Sequence, residues 1–145
     1  MRILIDTNII LDYLLKRPEY YNAVRQVVEL CVEGNISGYI APISYPNAYY
    51  ILRKQMSDEE RRELLLDLCQ IFETVAIDHD MIVSALKWKD FKDFEDCIQA
   101  ECAIVVGADY IVTRNAKDFK ECNIKCVTAG EFCEIIRSQS EDAAT

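Results

Sequence analysis

Short apolar segments alternate with longer amphipathic segments along the whole chain. Five segments are rich in β-branched and aromatic residues, which predicts strands at 1–6, 37–44, 73–78, 109–113 and 124–128. Between and after them, apolar residues recur three and four positions apart, which predicts helices at 8–17, 19–35, 45–55, 57–72, 79–89, 93–107 and 129–138. The chain is therefore predicted to alternate strands with helices.

Signals at the segment ends support these boundaries. Ser57 is followed three residues later by Glu60, the spacing of a capping box, and Gly107 closes the sixth helix. The polar residues 138–145 predict a frayed, flexible tail after a single domain at 1–137. A chain of 145 residues is long enough for one domain with a real core.

Strands that alternate with helices favour an α/β fold with a parallel sheet of four to five strands, covered on both faces. In such open sheets the ligand crevice lies beyond the carboxyl ends of the strands. Asp6 ends the first strand, and Asn115 and Asp118 follow the fourth. Asp96 lies in the first turns of the helix that leads into the fourth strand, so it returns to the same edge. The sequence therefore predicts that these four residues gather there.

Carboxylates gathered in one place raise one another's pKa unless a cation lies between them. Mg²⁺ and Mn²⁺ are hard cations that bind carboxylates, amide oxygens and water. An ion of this kind supports phosphodiester hydrolysis by in-line displacement. The pattern thus indicates a divalent metal site for phosphoryl chemistry.

Each of these polar residues also has a purely structural interpretation. A polar residue can cap the helix that follows it, and first-turn acids are favourable to the helix dipole. The residues open to this interpretation are Asp6, Thr7, Asn8, Asp93, Glu95 and Asp96. Asp118 is open to a different structural interpretation, as a turn residue before Phe119. The remaining acids singled out are interpreted as solvated surface residues: Asp12, Asp58, Asp67, Asp78 and Asp90.

The net charge of −9 is a difficulty for a nucleic-acid partner, since phosphate binding normally needs a basic face. A bound divalent cation, or local clusters at 53–54 and 61–62, would offset it. No apolar run approaches the roughly 20 residues of a membrane span, so no membrane partner is expected. Seven irregularly spaced cysteines favour reduced, mostly buried thiols of a cytoplasmic protein over a zinc site.

Three motifs together resemble the PIN-domain family: ILIDTNIILDYL at 3–14, DFEDCIQAECA at 93–103 and ADYIVTRNAKDF at 108–119. The resemblance covers nearly the whole chain. It implies a three-layer α/β/α fold and Mg²⁺- or Mn²⁺-dependent endoribonuclease activity. It also implies kinship with small VapC-like toxins of bacterial toxin–antitoxin pairs, so an RNA substrate, an antitoxin partner and a homodimer are expected.

The resemblance assigns roles residue by residue. Asp6 and Asp96 match metal-binding acids of the family, and Asn115 falls where the family often has a further acid. Asp118 is the nearby carboxylate that can replace it. The implied metal ligands are Asp6, Asp96, Asn115 and Asp118, of which the three acids are catalytic. The implied supporting residues are Thr7, Asn8, Asn47, Asp93, Glu95 and Thr113.

One motif departs from the family pattern. Members typically carry a Glu near the position of Asn47, and here no acid occurs between Glu33 and Asp58. An amide oxygen can ligate Mg²⁺ but brings no charge and cannot act as a base. This keeps open an alternative, a catalytically impaired PIN-like RNA-binding or protein-interaction module. A third interpretation, a phosphotransferase with Asp6 as nucleophile, lacks the second acid where Asn8 stands.

Aromatic and basic residues near the predicted site are candidates for RNA contact by stacking and phosphate binding. The candidates are Tyr45, Arg53, Lys54 and Arg114. Tyr49 and Tyr50 fit either the same path or packing in the core or a dimer interface, and packing is favoured.

Overall fold

The computed structural model describes residues 1–89, 93–119 and 121–144, and these form a five-stranded sheet and seven α-helices. The strands are β1 (Arg2–Ile5), β2 (Ser37–Ile40), β3 (Glu73–Thr74), β4 (Tyr110–Val112) and β5 (Lys125–Val127). The helices are α1 (Thr7–Leu14), α2 (Tyr21–Val32), α3 (Ser44–Ile51), α4 (Asp58–Ile71), α5 (His79–Lys87), α6 (Phe94–Val105) and α7 (Ala129–Ala144). Two 3₁₀ turns occupy Leu52–Lys54 and Ala116–Phe119.

The sheet has the order β3-β2-β1-β4-β5, and every neighbouring pair of strands is parallel. The central strand β1 pairs with both β2 and β4, with Ile5 opposite Val112. Strands β2 and β3 extend the sheet to one side and β4 and β5 to the other, so the order reverses between β1 and β4. The predicted α/β fold with a parallel central sheet is confirmed.

Alternate side chains of β1 face opposite sides of the sheet, as the two-residue period of a strand requires. Ile3 and Ile5 belong to a core with residues of α1, α2, α4 and α7, including the buried Phe132. Leu4 belongs to a second core with residues of α5 and α6, including Ala103. Helices on both faces give the three-layer arrangement, and this is why Ile3, Leu4 and Ile5 of the central strand are all buried.

Two local signals at helix ends behave as predicted, and a glycine inside β2 allows a close contact. Ser57 caps α4, because its Oγ accepts a hydrogen bond from the Glu60 backbone N–H at 3.2 Å. Gly107 follows α6 with φ +65°, a conformation that glycine adopts without strain. Gly38 in β2 allows the sheet to approach α4 closely, since a Cβ there would lie 2.5 Å from Cδ1 of Phe72.

Some boundaries differ from the prediction. Strand β2 ends at Ile40, short of Pro42, which lacks the N–H that a further ladder bond needs. Strand β3 is an edge strand of two residues. The predicted frayed tail is wrong for 138–144, since α7 continues to Ala144. After Gly130 nothing interrupts the helix, and its polar residues are simply exposed.

The interpretation of Asp12 as a solvated acid is wrong, since the residue is fully buried. Arg17 donates from Nη1 to Asp12 Oδ1 at 2.9 Å, and Arg114 Nε lies 3.0 Å from Asp12 Oδ2. The Arg114 guanidinium also lies 4.3 Å from the centre of the Tyr20 ring. A buried carboxylate needs such partners. Arg114 is 102 residues away from Asp12 in the sequence, so no local pattern indicated that the two residues pair.

The other acids interpreted as solvated are exposed where the structure describes them: Asp58, Asp67 and Asp78. Asp90 lies outside the described residues. Five of the seven cysteines are buried, Cys126 is half-buried and Cys69 is exposed, so mostly buried free thiols are confirmed. Among the residues that the structure describes, no helix has the length and hydropathy to cross a membrane.

Candidate active site

A cavity of about 480 Å³ opens where the strand order reverses between β1 and β4. A reversal of this kind is where open parallel sheets place their ligand crevice. The lining comprises Asp6, Thr7, Asn8, Asn47, Tyr50, Ile51, Asp93, Glu95, Asp96, Gln99, Asn115 and Asp118. The structure therefore brings together all four sequence-predicted metal ligands and every predicted supporting residue except Thr113, which lies directly beneath.

Asp6 is the first residue after β1 and is only 8% exposed. Its Oδ1 accepts a hydrogen bond from Thr7 N at 2.8 Å, and its Oδ2 accepts one from Thr113 Oγ1 at 2.8 Å. It also occupies the N-cap position of α1. Burial raises the pKa of Asp6, and the hydrogen bonds from Thr113 and Thr7 oppose that rise. The side chain is thus both a helix cap and a fixed acid at the sheet edge.

Asp96 lies in the first turn of α6. The helix is capped by Asp93, whose Oδ1 accepts a hydrogen bond from Glu95 N at 3.0 Å. Burial is the main reason why the pKa of Asp96 is raised to about 7, and the neighbouring charges of Asp6, Asp93, Asp118 and Glu95 contribute to the same rise. Repulsion from acids on three different segments shows that their charges converge on one region.

The loop after β4 carries Asn115 and Asp118 to the cavity. Thr113 Oγ1 accepts a hydrogen bond from Asn115 N at 3.0 Å, while it donates to Asp6. Asp118 N donates to Asn115 O at 2.9 Å within the 3₁₀ turn, which buried Phe119 anchors. The single hydroxyl of Thr113 therefore ties this loop to the end of β1.

The cavity wall formed by α3 carries an amide, Asn47, at the position where the resemblance predicts an acid. Asn47 Nδ2 donates a hydrogen bond to Glu95 Oε2 at 3.2 Å. A carboxylate from α6 is thus drawn toward the α3 side. Of the Asn47 and Glu95 side chains, only that of Glu95 is an acid.

A buried polar network behind Asp6 was missed from the sequence. The Oγ atoms of Thr7 and Ser44 lie 2.7 Å apart, and Gln99 Nε2 donates to both, at 3.3 Å and 2.9 Å. Gln99 interrupts an apolar helical run three residues after Asp96, a spacing that places both on one face. A polar residue at this spacing in an apolar run could have identified Gln99 from the sequence alone.

None of the four candidate RNA contacts is among the residues that line the cavity, and two of them make other contacts. Tyr45 packs beside the core, and its hydroxyl accepts a hydrogen bond from Thr74 Oγ1 at 3.1 Å. It faces a separate, mainly apolar groove that Leu65 also lines. Arg114 is paired with Asp12. The Asp12 carboxylate is shared with Arg17, so it offsets the charge of Arg114 only in part.

The other candidates stand near the rim. Tyr50 is 61% exposed and lines the cavity, so it does not pack in the core of this chain, and its packing across a dimer interface stays a prediction. The Arg53 guanidinium lies 3.7 Å from the centre of the Tyr50 ring, and Lys54 is exposed. Tyr49 does pack, half-buried, with the Arg61 guanidinium 4.0 Å from its ring centre.

The polar donors in the cavity are mainly carboxylate and amide oxygens, which are ligands of Mg²⁺ and Mn²⁺. Within residues 1–89, 93–119 and 121–144, no three His, Cys, Asp or Glu side chains are grouped so that they could hold an ion by themselves. Mg²⁺ is commonly held through one or two carboxylates and keeps several waters. The donors fit a largely hydrated cation of this kind.

Comparison with known families identifies the class of protein. The PIN domain profile matches residues 2–117, so the chain belongs to the PIN domain family, which is generally a nuclease family. No curated protein sequence matches the chain.

Solved structures share the fold at low identity. VapBC2 from Rickettsia felis, bound to a promoter DNA fragment, contains a similar chain with TM-score 0.68 and 20% identity, over 88% of this chain and 98% of that one. VapBC-1 from nontypeable Haemophilus influenzae gives TM-score 0.66 and 17% identity, over 89% and 98%. FitAB bound to an IR36 DNA fragment gives 0.63 and 17%, over 88% and 95%.

Proposed function

We propose that this protein is a metal-dependent endoribonuclease. The observation that carries the proposal is the convergence of Asp6, Asp96 and Asp118, from three separate segments, on one cavity at the sheet edge. Asp96 is charged only at a cost there, because its pKa is raised to about 7 by burial and by the neighbouring acids. A divalent cation nearby stabilises the ionised form of Asp96. Nuclease chemistry is the activity that the family generally performs.

Asp6 and Asp96 are the primary candidates to hold Mg²⁺ or Mn²⁺, with Asp118 and the Asn115 amide oxygen completing the set. When bound, the ion supplies Lewis-acid stabilisation of a phosphoryl group and a lowered pKa of water. Thr113 and Thr7 keep Asp6 oriented through their hydrogen bonds. Asp118 lies at the partly exposed side of the cavity, where its carboxylate can accept a proton from attacking water.

The substrate path proposed for RNA runs past Tyr50. Its exposed ring offers a face on which a base can stack, and Arg53 and Lys54 follow it on the surface. These two basic side chains are few compared with the net charge of −9 on the chain. We therefore expect RNA binding to require the divalent cation even before cleavage.

The test is cleavage of a 5′-labelled single-stranded RNA in Mn²⁺, for the wild type, Asp6→Asn, Asp96→Asn and Asp67→Asn prepared identically. Asp67 is an exposed acid outside the cavity and controls for loss of one charge. Lewis-acid stabilisation is worth several kcal/mol. The cleavage rate of Asp6→Asn and of Asp96→Asn should therefore be about 100-fold or more below that of the wild type, and the rate of Asp67→Asn should equal that of the wild type. Equal cleavage by all four proteins would contradict the proposal.

A second candidate is an RNA-binding or protein-interaction module without catalysis. Two observations favour it: Asn47 stands in place of an acid, and the described residues offer no ready group of three metal-ligating side chains. Under this function the wild type binds labelled RNA in a mobility-shift assay. It neither cleaves that RNA nor binds Mn²⁺ by calorimetry.

We also propose a protein partner of the antitoxin type and a homodimer. The support is the family and the neighbouring VapBC and FitAB complexes, together with an acidic cavity that suits a basic segment. Induced expression should arrest bacterial growth, and Asp6→Asn should relieve the arrest. Light scattering at several concentrations tests the dimer directly.

A further inference from the structure

The side-chain oxygen of Gln99 is a buried acceptor that lacks a donor. Gln99 is 2% exposed and lines the acidic cavity. No donor in the described parts of the chain reaches its Oε1. A buried carbonyl oxygen left without a partner is unfavourable, so a ligand that supplies one is to be expected.

In the structure the nitrogen end of this amide faces two hydroxyl groups. Both contacts of Nε2 go to hydroxyls, at Ser44 and Thr7, and those hydroxyls also contact each other. An amide NH₂ has two hydrogens, so both are used here. In this orientation Oε1 points away from the pair of hydroxyls.

The position of Gln99 relates Oε1 to the two primary acids. Gln99 follows Asp96 by three residues on α6, which places the two side chains on the same helix face. Through Thr7 it adjoins Asp6, whose Oδ1 accepts from Thr7 N. Gln99 therefore borders the region where negative charge converges, and a neutral hydrogen-bond acceptor there is complementary to a cation.

We propose that Gln99 Oε1 is a further ligand of the divalent cation, a neutral oxygen added to the carboxylates of Asp6 and Asp96. This inference rests on the proposed function, because it presupposes a cation in the cavity. Hard divalent cations accept amide carbonyl oxygens in this role. The Thr7–Ser44 pair holds the amide in place, so the oxygen is oriented before the ion arrives.

The test compares Gln99→Met with the wild type and with Gln70→Met, a control at an exposed glutamine of α4. Mn²⁺ affinity is measured by calorimetry, and thermal stability is measured in EDTA and in Mn²⁺. Methionine removes the orphan oxygen, and the Thr7 and Ser44 hydroxyls keep each other as partners. We expect Gln99→Met to bind Mn²⁺ about tenfold more weakly or worse, while in EDTA it is at least as stable as the wild type.

The outcomes separate this inference from the proposed function. A wild type that binds no Mn²⁺ overturns both. A wild type that binds Mn²⁺ with the same affinity as Gln99→Met overturns only the role of Gln99. Equal destabilisation of Gln99→Met in EDTA and in Mn²⁺ shows a purely structural residue and also overturns it.

A second variant keeps the inference testable if Gln99→Met does not fold. Gln99→Glu places a charged oxygen beside Asp6 and Asp96, so it should be less stable than the wild type in EDTA. Mn²⁺ should raise its melting temperature more than that of the wild type. An equal or smaller rise would contradict the inference.

Discussion

Thr113 Oγ1 donates a hydrogen bond to Asp6 Oδ2 at 2.8 Å, which joins the ends of β4 and β1 across the point where the strand order reverses. The same oxygen accepts from Asn115 N at 3.0 Å. One hydroxyl thus orients the primary acid and shapes the loop that carries Asp118. This hydrogen bond also lowers the pKa of Asp6, against the rise that burial causes.

Thr113→Val should therefore weaken Mn²⁺ binding, because it removes this hydrogen bond and favours the protonated form of Asp6. Residues that orient metal ligands typically contribute roughly 10- to 100-fold to affinity or activity. Thr113→Ser keeps the hydroxyl and should stay within a few-fold of the wild type. Calorimetry on the three proteins measures the difference, and equal weakening by valine and serine would show that the hydroxyl is irrelevant.

Removal of the buried charge at Asp12 should destabilise the fold. Asp12→Asn leaves Arg17 and Arg114 without their carboxylate, and loss of one partner in a buried ion pair costs about 3–5 kcal/mol. The free energy of unfolding is measured in urea, with Asp67→Asn as the matched exposed control expected within about 0.5 kcal/mol of the wild type. A similar small effect from both variants would refute the structural role of Asp12.

The raised pKa of Asp96 predicts the pH dependence of stability without metal. The folded carboxyl titrates near 7, against an ordinary value of 3.8. Between those values the folded chain holds a proton that the unfolded chain has lost, so this group's contribution to stability falls as the pH rises from about 4 to about 7. Asp96→Asn should flatten that slope in urea titrations in EDTA. An unchanged slope would mean that Asp96 titrates normally.

The raised pKa of Asp96 also predicts that metal binding releases a proton. At pH 6 the metal-free site is mostly protonated at Asp96, whereas a metal ligand must be ionised. Binding of Mn²⁺ should therefore release about one proton in the wild type and fewer in Asp96→Asn. Calorimetry in two buffers of different ionisation enthalpy counts the protons. Identical heats in both buffers would exclude coupled ionisation.

Addition of an acid at Asn47 should strengthen the cation site. Asn47→Glu adds a charge to the α3 wall opposite Glu95, whereas Asn47→Gln matches its length without charge. Mn²⁺ affinity should rise about tenfold for the glutamate, near 1.4 kcal/mol, and stay near the wild type for the glutamine. If the two variants bind Mn²⁺ alike, charge at this wall does not limit binding.

The alternation of segments was sufficient to predict the parallel sheet, because apolar strands between helices allow few other arrangements. The edge position of Asp6, Asp96 and Asp118 followed from the same logic, since all parallel strands end at one edge. Gln99 was missed, although a polar residue one turn from Asp96 in an apolar run was a readable signal.

What could not be predicted depends on contacts between distant residues. The burial of Asp12 requires Arg114, 102 residues away, and no local pattern distinguishes such an acid from a solvated one. That pairing also occupies the arginine assigned to RNA. The exposure of Tyr50 and the packing of Tyr49 differ because of α4, whose Arg61 covers only the latter.

The central claim is that one divalent cation is shared by the side chains at the reversal point. The most direct measurement is anomalous diffraction from crystals grown with Mn²⁺. We predict a peak in the cavity within about 2.0–2.6 Å of carboxylate oxygens of both Asp6 and Asp96. A protein saturated with Mn²⁺ that shows no peak in the cavity, or peaks only at acids outside it, would contradict the claim.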